Sequence, residues 1–155
     1  MNRLEKVCKV VNNILKKQSN LVERHCGYVH LYGVASNCSL LALKRGLNAE
    51  LCSIAGMLHD ISRYKNGSDI EHAKLSSLDA RKIMNETKSF NDEEINIVCS
   101  AISKHSNKED IDDYYDEVLK DADVLSHYLN RSKFQVEEKE RDRLNKLFKE
   151  LGIKE

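Results

Sequence analysis

The chain contains no proline and only six glycines in 155 residues. Because these two residues interrupt helices more often than any others, long helices can form along almost the whole sequence. The chain is also rich in Lys, Glu, Leu and Ala, which favour helices over strands. We therefore predict an all-α fold, a single-domain bundle of about six or seven helices.

Apolar residues recur at steps of three and four in the first third of the chain, which indicates amphipathic helices. A first helix is predicted to end near Gln18, and a second runs from about Val22 to Arg45, where Gly46 has the position of a C-terminal cap. A third, from Asn48 to Ile61, is apolar nearly all round. It is therefore expected to be the central, buried helix.

Capping patterns locate the later helices. Ser68 with Glu71, and Asn91 with Glu94, each have the form of a capping box that opens a helix. A sixth helix is predicted near residues 116–130. The final helix is charged, with four apolar residues on one face: Leu144, Leu147, Phe148 and Leu151.

One helical domain is expected over residues 1–155, with its core at 22–130 and flanking helices at 1–18 and 133–151. Twenty-five basic residues balance 25 acidic ones, so no nucleic-acid polymer or membrane is expected as a partner. With no apolar run of about 18 residues and no signal peptide, the chain is expected to stay in the cytoplasm.

The cysteines are odd in number and are predicted to be reduced core residues: Cys8, Cys26, Cys38, Cys52 and Cys99.

Four of the six histidines fall on or beside the faces that the periodicity turns inward: His30, His59, His72 and His105. Asp60 follows directly where the central helix ends, so backbone relaxation there lets two neighbouring side chains reach inward. Neutral imidazoles and carboxylate oxygens are ligands for Mn, Fe, Co, Ni and Zn. Burial without a metal would leave these polar atoms unsatisfied. We therefore predict a site for one or two divalent transition metal ions.

The segments "HLYGVASNCSLLALKRG", "AGMLHDISRY", "EHAKLSSLDA", "AISKHS" and "DADVL" follow one another in this order. Over residues 22–130 this order resembles the HD domain superfamily of metal-dependent phosphohydrolases. The resemblance implies a helical bundle and a two-metal site in which Asp60 bridges both ions. It also implies the ligands His30, His59, Asp60, His72, His105 and Asp123. Helical periodicity alone does not choose between Asp121 and Asp123; the family pattern favours Asp123.

The function implied is a metal-dependent phosphohydrolase that acts on a small phosphorylated molecule such as a nucleotide. Asp60 would position the attacking water, while Arg63 and Lys104 would stabilise charge on the phosphoryl group. The alternative for Arg63 is an ordinary role at the helix end or in a salt bridge, and the alternative for Lys104 is an exposed position on the surface. His25 and His127 are predicted to be solvated, and residues 108–116 to form a plain connection or a lid.

Two other functions use the same ligands. One is a regulatory HD domain that binds metal without turnover, and the other is a di-iron oxygenase on the same fold. A small phosphorylated substrate is the expected partner in the main interpretation. The charged C-terminal helix is predicted to be a solvated face, with contact in a homodimer as the alternative.

Overall fold

The computed structural model of the protein describes residues 1–130 and 135–154, which form helices and no strand. The helices are α1 (Arg3–Lys17), α2 (Leu21–Arg45), α3 (Ala49–Leu58), α4 (Ile61–Asn66), α5 (His72–Thr87), α6 (Asp92–Lys104), α7 (Tyr114–Asn130) and α8 (Glu138–Leu151). All except α4 have ten or more residues, so the prediction of an all-α bundle is confirmed. Of the predicted final helix, positions 133 and 134 lie outside the described residues. Residues 135–137 are not helical, so this helix begins at Glu138 rather than at 133.

Two further predicted helix boundaries are wrong, and both lie beside the candidate ligands. The third helix ends at Leu58 rather than Ile61, because Asp60 leaves the helical conformation (φ −116°, ψ 16°). The Ser68 hydroxyl accepts a hydrogen bond from the Ile70 N–H and forms no capping box, so the next helix starts only at His72. By contrast, the capping box at Asn91 is confirmed.

Helix α3 lies at the centre of the bundle, in contact with α1, α2, α5, α6 and α7. Its closest neighbour is α2, and Gly56 makes this approach possible. A Cβ at position 56 would lie 2.7 Å from the Cα and 2.8 Å from the main-chain N of Ala35. Since main-chain atoms cannot move aside as a side chain can, α2 and α3 can pack at this distance only with glycine here.

Gly56→Ala is therefore expected to destabilise the protein by about 1–3 kcal/mol, the usual cost of overpacking a core. Gly27→Ala is the matched comparison, because a Cβ there would meet the ends of side chains, Leu15 Cδ2 at 2.6 Å and the Tyr64 ring at 3.0 Å. Urea unfolding of both variants measures the difference. An equal or larger loss for Gly27→Ala would contradict this account of the α2–α3 contact.

The flanking helices pack onto this core through apolar faces: α1 by Val7, Val11 and Leu15, and α8 by Leu144, Leu147 and Phe148. Three of the five cysteines are buried and Cys8 is partly buried, but Cys26 is exposed, which corrects the prediction that it lies in the core. It lies on the outer face of α2, opposite the buried face. Across the described helices, none combines the length and apolar character needed to cross a membrane.

Candidate metal centre

The six predicted ligands lie together in the structure and come from five points of the helical framework. His30 comes from α2, His59 and Asp60 from the break between α3 and α4, and His72 from the first residue of α5. His105 follows the last residue of α6, and Asp123 lies within α7. Groups of these side chains approach closely enough to share an ion.

The Asp60 carboxylate lies at the centre of this cluster. Its Oδ1 atom is 3.2 Å from Nε2 of His105 and 3.6 Å from Nε2 of His72. Its Oδ2 atom is 3.6 Å from Nε2 of both His30 and His59. Each oxygen of one carboxylate thus faces its own pair of imidazoles, the arrangement that a carboxylate bridging two ions requires.

Asp123 completes the side of the cluster formed by His30 and His59. Its Oδ1 atom lies 3.5 Å from Nε2 of His30 and 3.6 Å from Nε2 of His59. Asp121 instead pairs with Arg45 at 2.6 Å and with Arg143 at 2.8 Å. Of the two aspartates that periodicity could not separate, Asp123 is therefore the one placed at the cluster.

Hydrogen bonds fix which nitrogen each histidine offers. In three of them the Nδ1–H donates to a main-chain carbonyl oxygen: His59 to Gly56 at 2.7 Å, His105 to Ile102 at 2.7 Å and His72 to Asp69 at 2.9 Å. Because a carbonyl oxygen only accepts, Nδ1 carries the proton in these rings. Each neutral ring then has its lone pair on Nε2, and it is the Nε2 atoms that face Asp60 and Asp123. The Ser106 hydroxyl also lies 3.0 Å from the Nε2 of His72.

The cluster contains polar atoms that the described protein leaves unsatisfied. Asp60 Oδ1 and Asp123 Oδ1 are buried and have no hydrogen-bond partner among the described residues. Nε2 of His30 lies 3.0 Å from Nε2 of His59, so two ring nitrogens point at each other. Buried unpaired polar atoms are costly, and a cation between them would satisfy both oxygens and nitrogens. Four imidazoles with two carboxylates fit the divalent transition metal ions.

Electrostatic interactions keep both carboxyl groups ionised. Burial acts to raise the pKa of Asp60 and Asp123, but His59 beside both, and Lys108 beside Asp123, outweigh it and hold each pKa well below its usual value. Burial lowers the pKa of His105, which favours the neutral ring that a metal requires. For His59, burial is outweighed by the two carboxylates, which raise its pKa.

His127 also belongs to the cluster, so the prediction that it is solvated is wrong. Its Nε2 lies 3.3 Å from Asp123 Oδ1, and its ring stacks on His30 with 5.7 Å between the centroids. Its Nδ1–H donates to Glu140 at 2.8 Å. Asp123 and His127 are four residues apart on α7, so their side chains lie on the same face of the helix. Once Asp123 is taken as a ligand, helical spacing therefore predicts that His127 also faces the cluster.

The buried Lys108 was also missed by the sequence analysis. Its side chain is only 3% exposed, and Nζ lies 2.6 Å from Asp123 Oδ2. Its main-chain oxygen accepts hydrogen bonds from the Arg143 guanidinium at 3.0 and 3.1 Å. Helix α8 thus holds the loop that places Lys108, which in turn occupies one Asp123 oxygen and leaves Oδ1 facing the histidines.

The two basic residues predicted to contact substrate differ in position. Arg63 is partly exposed at the rim, with NH1 4.0 Å from Asp60 Oδ2 and Nε 2.9 Å from Asp69. Lys104 pairs with the buried Asp116 at 2.7 Å and with Asp112 at 3.5 Å, and neither belongs to the cluster. The predicted catalytic role of Lys104 is therefore not supported, because its ammonium group neutralises a buried carboxylate outside the site.

The family model described as HD domain matches residues 27–128, a range that contains every member of the cluster. No curated protein and no solved structure matches the chain significantly.

Proposed function

Because the chain belongs to the HD domain family, which is typical of metal-dependent hydrolases, we propose that it is a metal-dependent phosphohydrolase. Its proposed substrate is a small phosphorylated molecule such as a nucleotide. The observation that carries the proposal is the position of Asp60, whose two oxygens face two separate pairs of imidazoles. This arrangement suits one or two divalent ions of Mn, Fe, Co, Ni or Zn.

His30, His59, Asp60 and Asp123 would hold one ion, and His72, His105 and Asp60 the other. When bound, such ions activate water at neutral pH and polarise a phosphoryl oxygen. The chain's own contribution is to hold the ligand side chains in position. Main-chain carbonyl oxygens orient three histidine rings, and the Lys108 ammonium group holds the Asp123 carboxylate. Asp60 would also accept a hydrogen bond from the attacking water.

We propose that Arg63 binds the substrate. Its guanidinium lies at the rim of the cluster, partly exposed and close to Asp60, where it could reach a phosphate oxygen of a molecule entering from solvent. A planar guanidinium binds two phosphate oxygens at once, which suits both orientation and charge stabilisation. Its present partner, Asp69, is exposed and can give way to a phosphate at little cost.

The test is metal analysis of protein purified without chelator, followed by a hydrolysis panel over nucleotides, cyclic nucleotides and small phosphomonoesters with Mn, Co, Ni and Mg. We expect bound transition metal, phosphate release from at least one class, and loss of both in Asp60→Asn. Stoichiometric metal without any turnover would favour a regulatory domain. Two irons with substrate-dependent oxygen uptake would favour an oxygenase, and either result would overturn the proposal.

A further inference from the structure

An apolar stripe runs along the outer face of α2, on the side opposite the buried core. Its members alternate at steps of four and three: Val22, Cys26, Val29, Gly33, Ser36, Leu40 and Leu43. All of them except Gly33 are exposed, and we call this set the outer stripe. A four-three repeat sustained along a helix is the pattern of a coiled-coil seam, which pairs with another helix.

Gly33 gives a second reason to expect a neighbour at this face. A glycine inside a helix destabilises it, so it needs a reason in the packing. At Gly56 and Gly27 the reason is internal, since a Cβ would come within 2.7 and 2.6 Å of other atoms. At Gly33 a Cβ would meet, among the described residues, only Ser126 Oγ of α7, at an ordinary 3.7 Å. The described chain does not itself require glycine here, whereas a closely packed external helix would.

The charges beside the outer stripe indicate what that helix is. Glu23 follows the first member of the stripe and Lys44 follows the last, and both are exposed. Two copies of α2 placed antiparallel would bring Glu23 of each copy opposite Lys44 of the other. A parallel pair would instead place like charges at the same end, and the helix dipoles would also align unfavourably.

We propose that the outer stripe binds the outer stripe of a second copy of this chain, with the two α2 helices antiparallel. The knobs-into-holes register that pairs Glu23 with Lys44 also sets Cys26 against Leu43, Val29 against Leu40 and Gly33 against Ser36, each contact occurring twice. The smallest residues then meet at the two-fold axis, where the helices approach most closely. Larger apolar side chains are buried on both sides of it.

This dimer does not depend on the proposed hydrolysis, because no stripe residue belongs to the metal cluster. It also differs from the sequence expectation, which placed a homodimer contact on the C-terminal helix. Sedimentation velocity of the wild-type protein is expected to give about twice the 17.8 kDa mass of one chain. A monomer at every concentration examined would overturn the proposal.

Leu43→Asp should dissociate this dimer, because it sets a carboxylate against the apolar Cys26 of the second copy at two places per dimer. We expect the dissociation constant to rise at least about 100-fold, since burying an unpaired charge is strongly unfavourable. Leu78→Asp on α5 is the matched control, as an exposed leucine outside the stripe (59% exposed, against 71% for Leu43). Circular dichroism checks that both variants fold, and dissociation by both would contradict the assignment of the surface.

Charge reversal tests the orientation without touching an apolar residue. Glu23→Lys alone and Lys44→Glu alone should each weaken the dimer, because each places like charges opposite one another. The double variant restores opposite charges and should restore the dimer. No rescue in the double variant would exclude the antiparallel register, and this result stands even if Leu43→Asp fails to fold.

Crosslinking gives an independent measure of orientation. In the proposed register, Leu43→Cys places the new thiol beside Cys26 of the second copy, so mild oxidation should give a covalent dimer. The wild-type protein should not crosslink, because its two Cys26 residues lie at opposite ends of the paired helices. A disulfide between the two Cys26 residues of the wild type would show parallel pairing and overturn the proposal.

Discussion

Asp60→Asn is expected to abolish both metal retention and phosphate release while leaving the helical fold intact. The substitution keeps the shape of the side chain but removes the one carboxylate that faces both pairs of imidazoles. Removal of a residue that only hydrogen-bonds to a metal ligand lowers the metal affinity by about 10- to 100-fold. Removal of the shared carboxylate should cost more than about 100-fold.

Elemental analysis after dialysis measures the metal, and far-UV circular dichroism measures the fold. Asp79→Asn is the matched control, because Asp79 pairs with Lys65 away from the cluster and should keep full metal content and activity. An Asp60→Asn protein that retains metal and turns over at the wild-type rate would eliminate the bridging assignment.

The second large effect is expected for Asp123→Asn, which removes a charge from the side of the cluster formed by His30 and His59. It also leaves the buried Lys108 ammonium without its carboxylate. We expect metal and activity to be lost together. Asp121→Asn is the comparison, since Asp121 faces Arg45 and Arg143 and should change metal affinity by about 100-fold at most.

The pair of variants separates a ligand from a nearby structural carboxylate. Metal content, measured at equal protein concentration, should fall in Asp123→Asn and remain in Asp121→Asn. The reverse pattern would mean that the ligand has been misassigned, although a metal site in this cluster would survive. Normal metal content in both variants would exclude either aspartate as a ligand.

The sequence was sufficient to predict the long helices, though not all of their ends, and the main set of candidate ligands, because both follow from local patterns. His105 continues an apolar stripe, and His59 ends the most hydrophobic helix, so their inward direction could be read from spacing. The choice between Asp121 and Asp123 could not be made in this way. Helix α7 is buried almost all round from Asp116 to Ser126, so both aspartates face the interior, in different directions.

Long-range pairing explains what the sequence analysis missed. Lys108 lies in a polar connection, and only the fold shows that Arg143 of α8 holds this loop against Asp123. Lys104 was assigned to the substrate for its position next to His105, but adjacent helical residues point about 100° apart. It therefore reaches Asp116 instead.

The cluster draws its donors from residues 30 to 127, and in the unfolded chain only His59 and Asp60 remain neighbours. A metal ion therefore has a complete binding site in the native state alone. Through linkage it would stabilise the native state by about 2.7 kcal/mol when free metal is 100-fold above the dissociation constant. Metal supply would thus set the fraction of this protein that unfolds, and with it the lifetime of the chain in the cell.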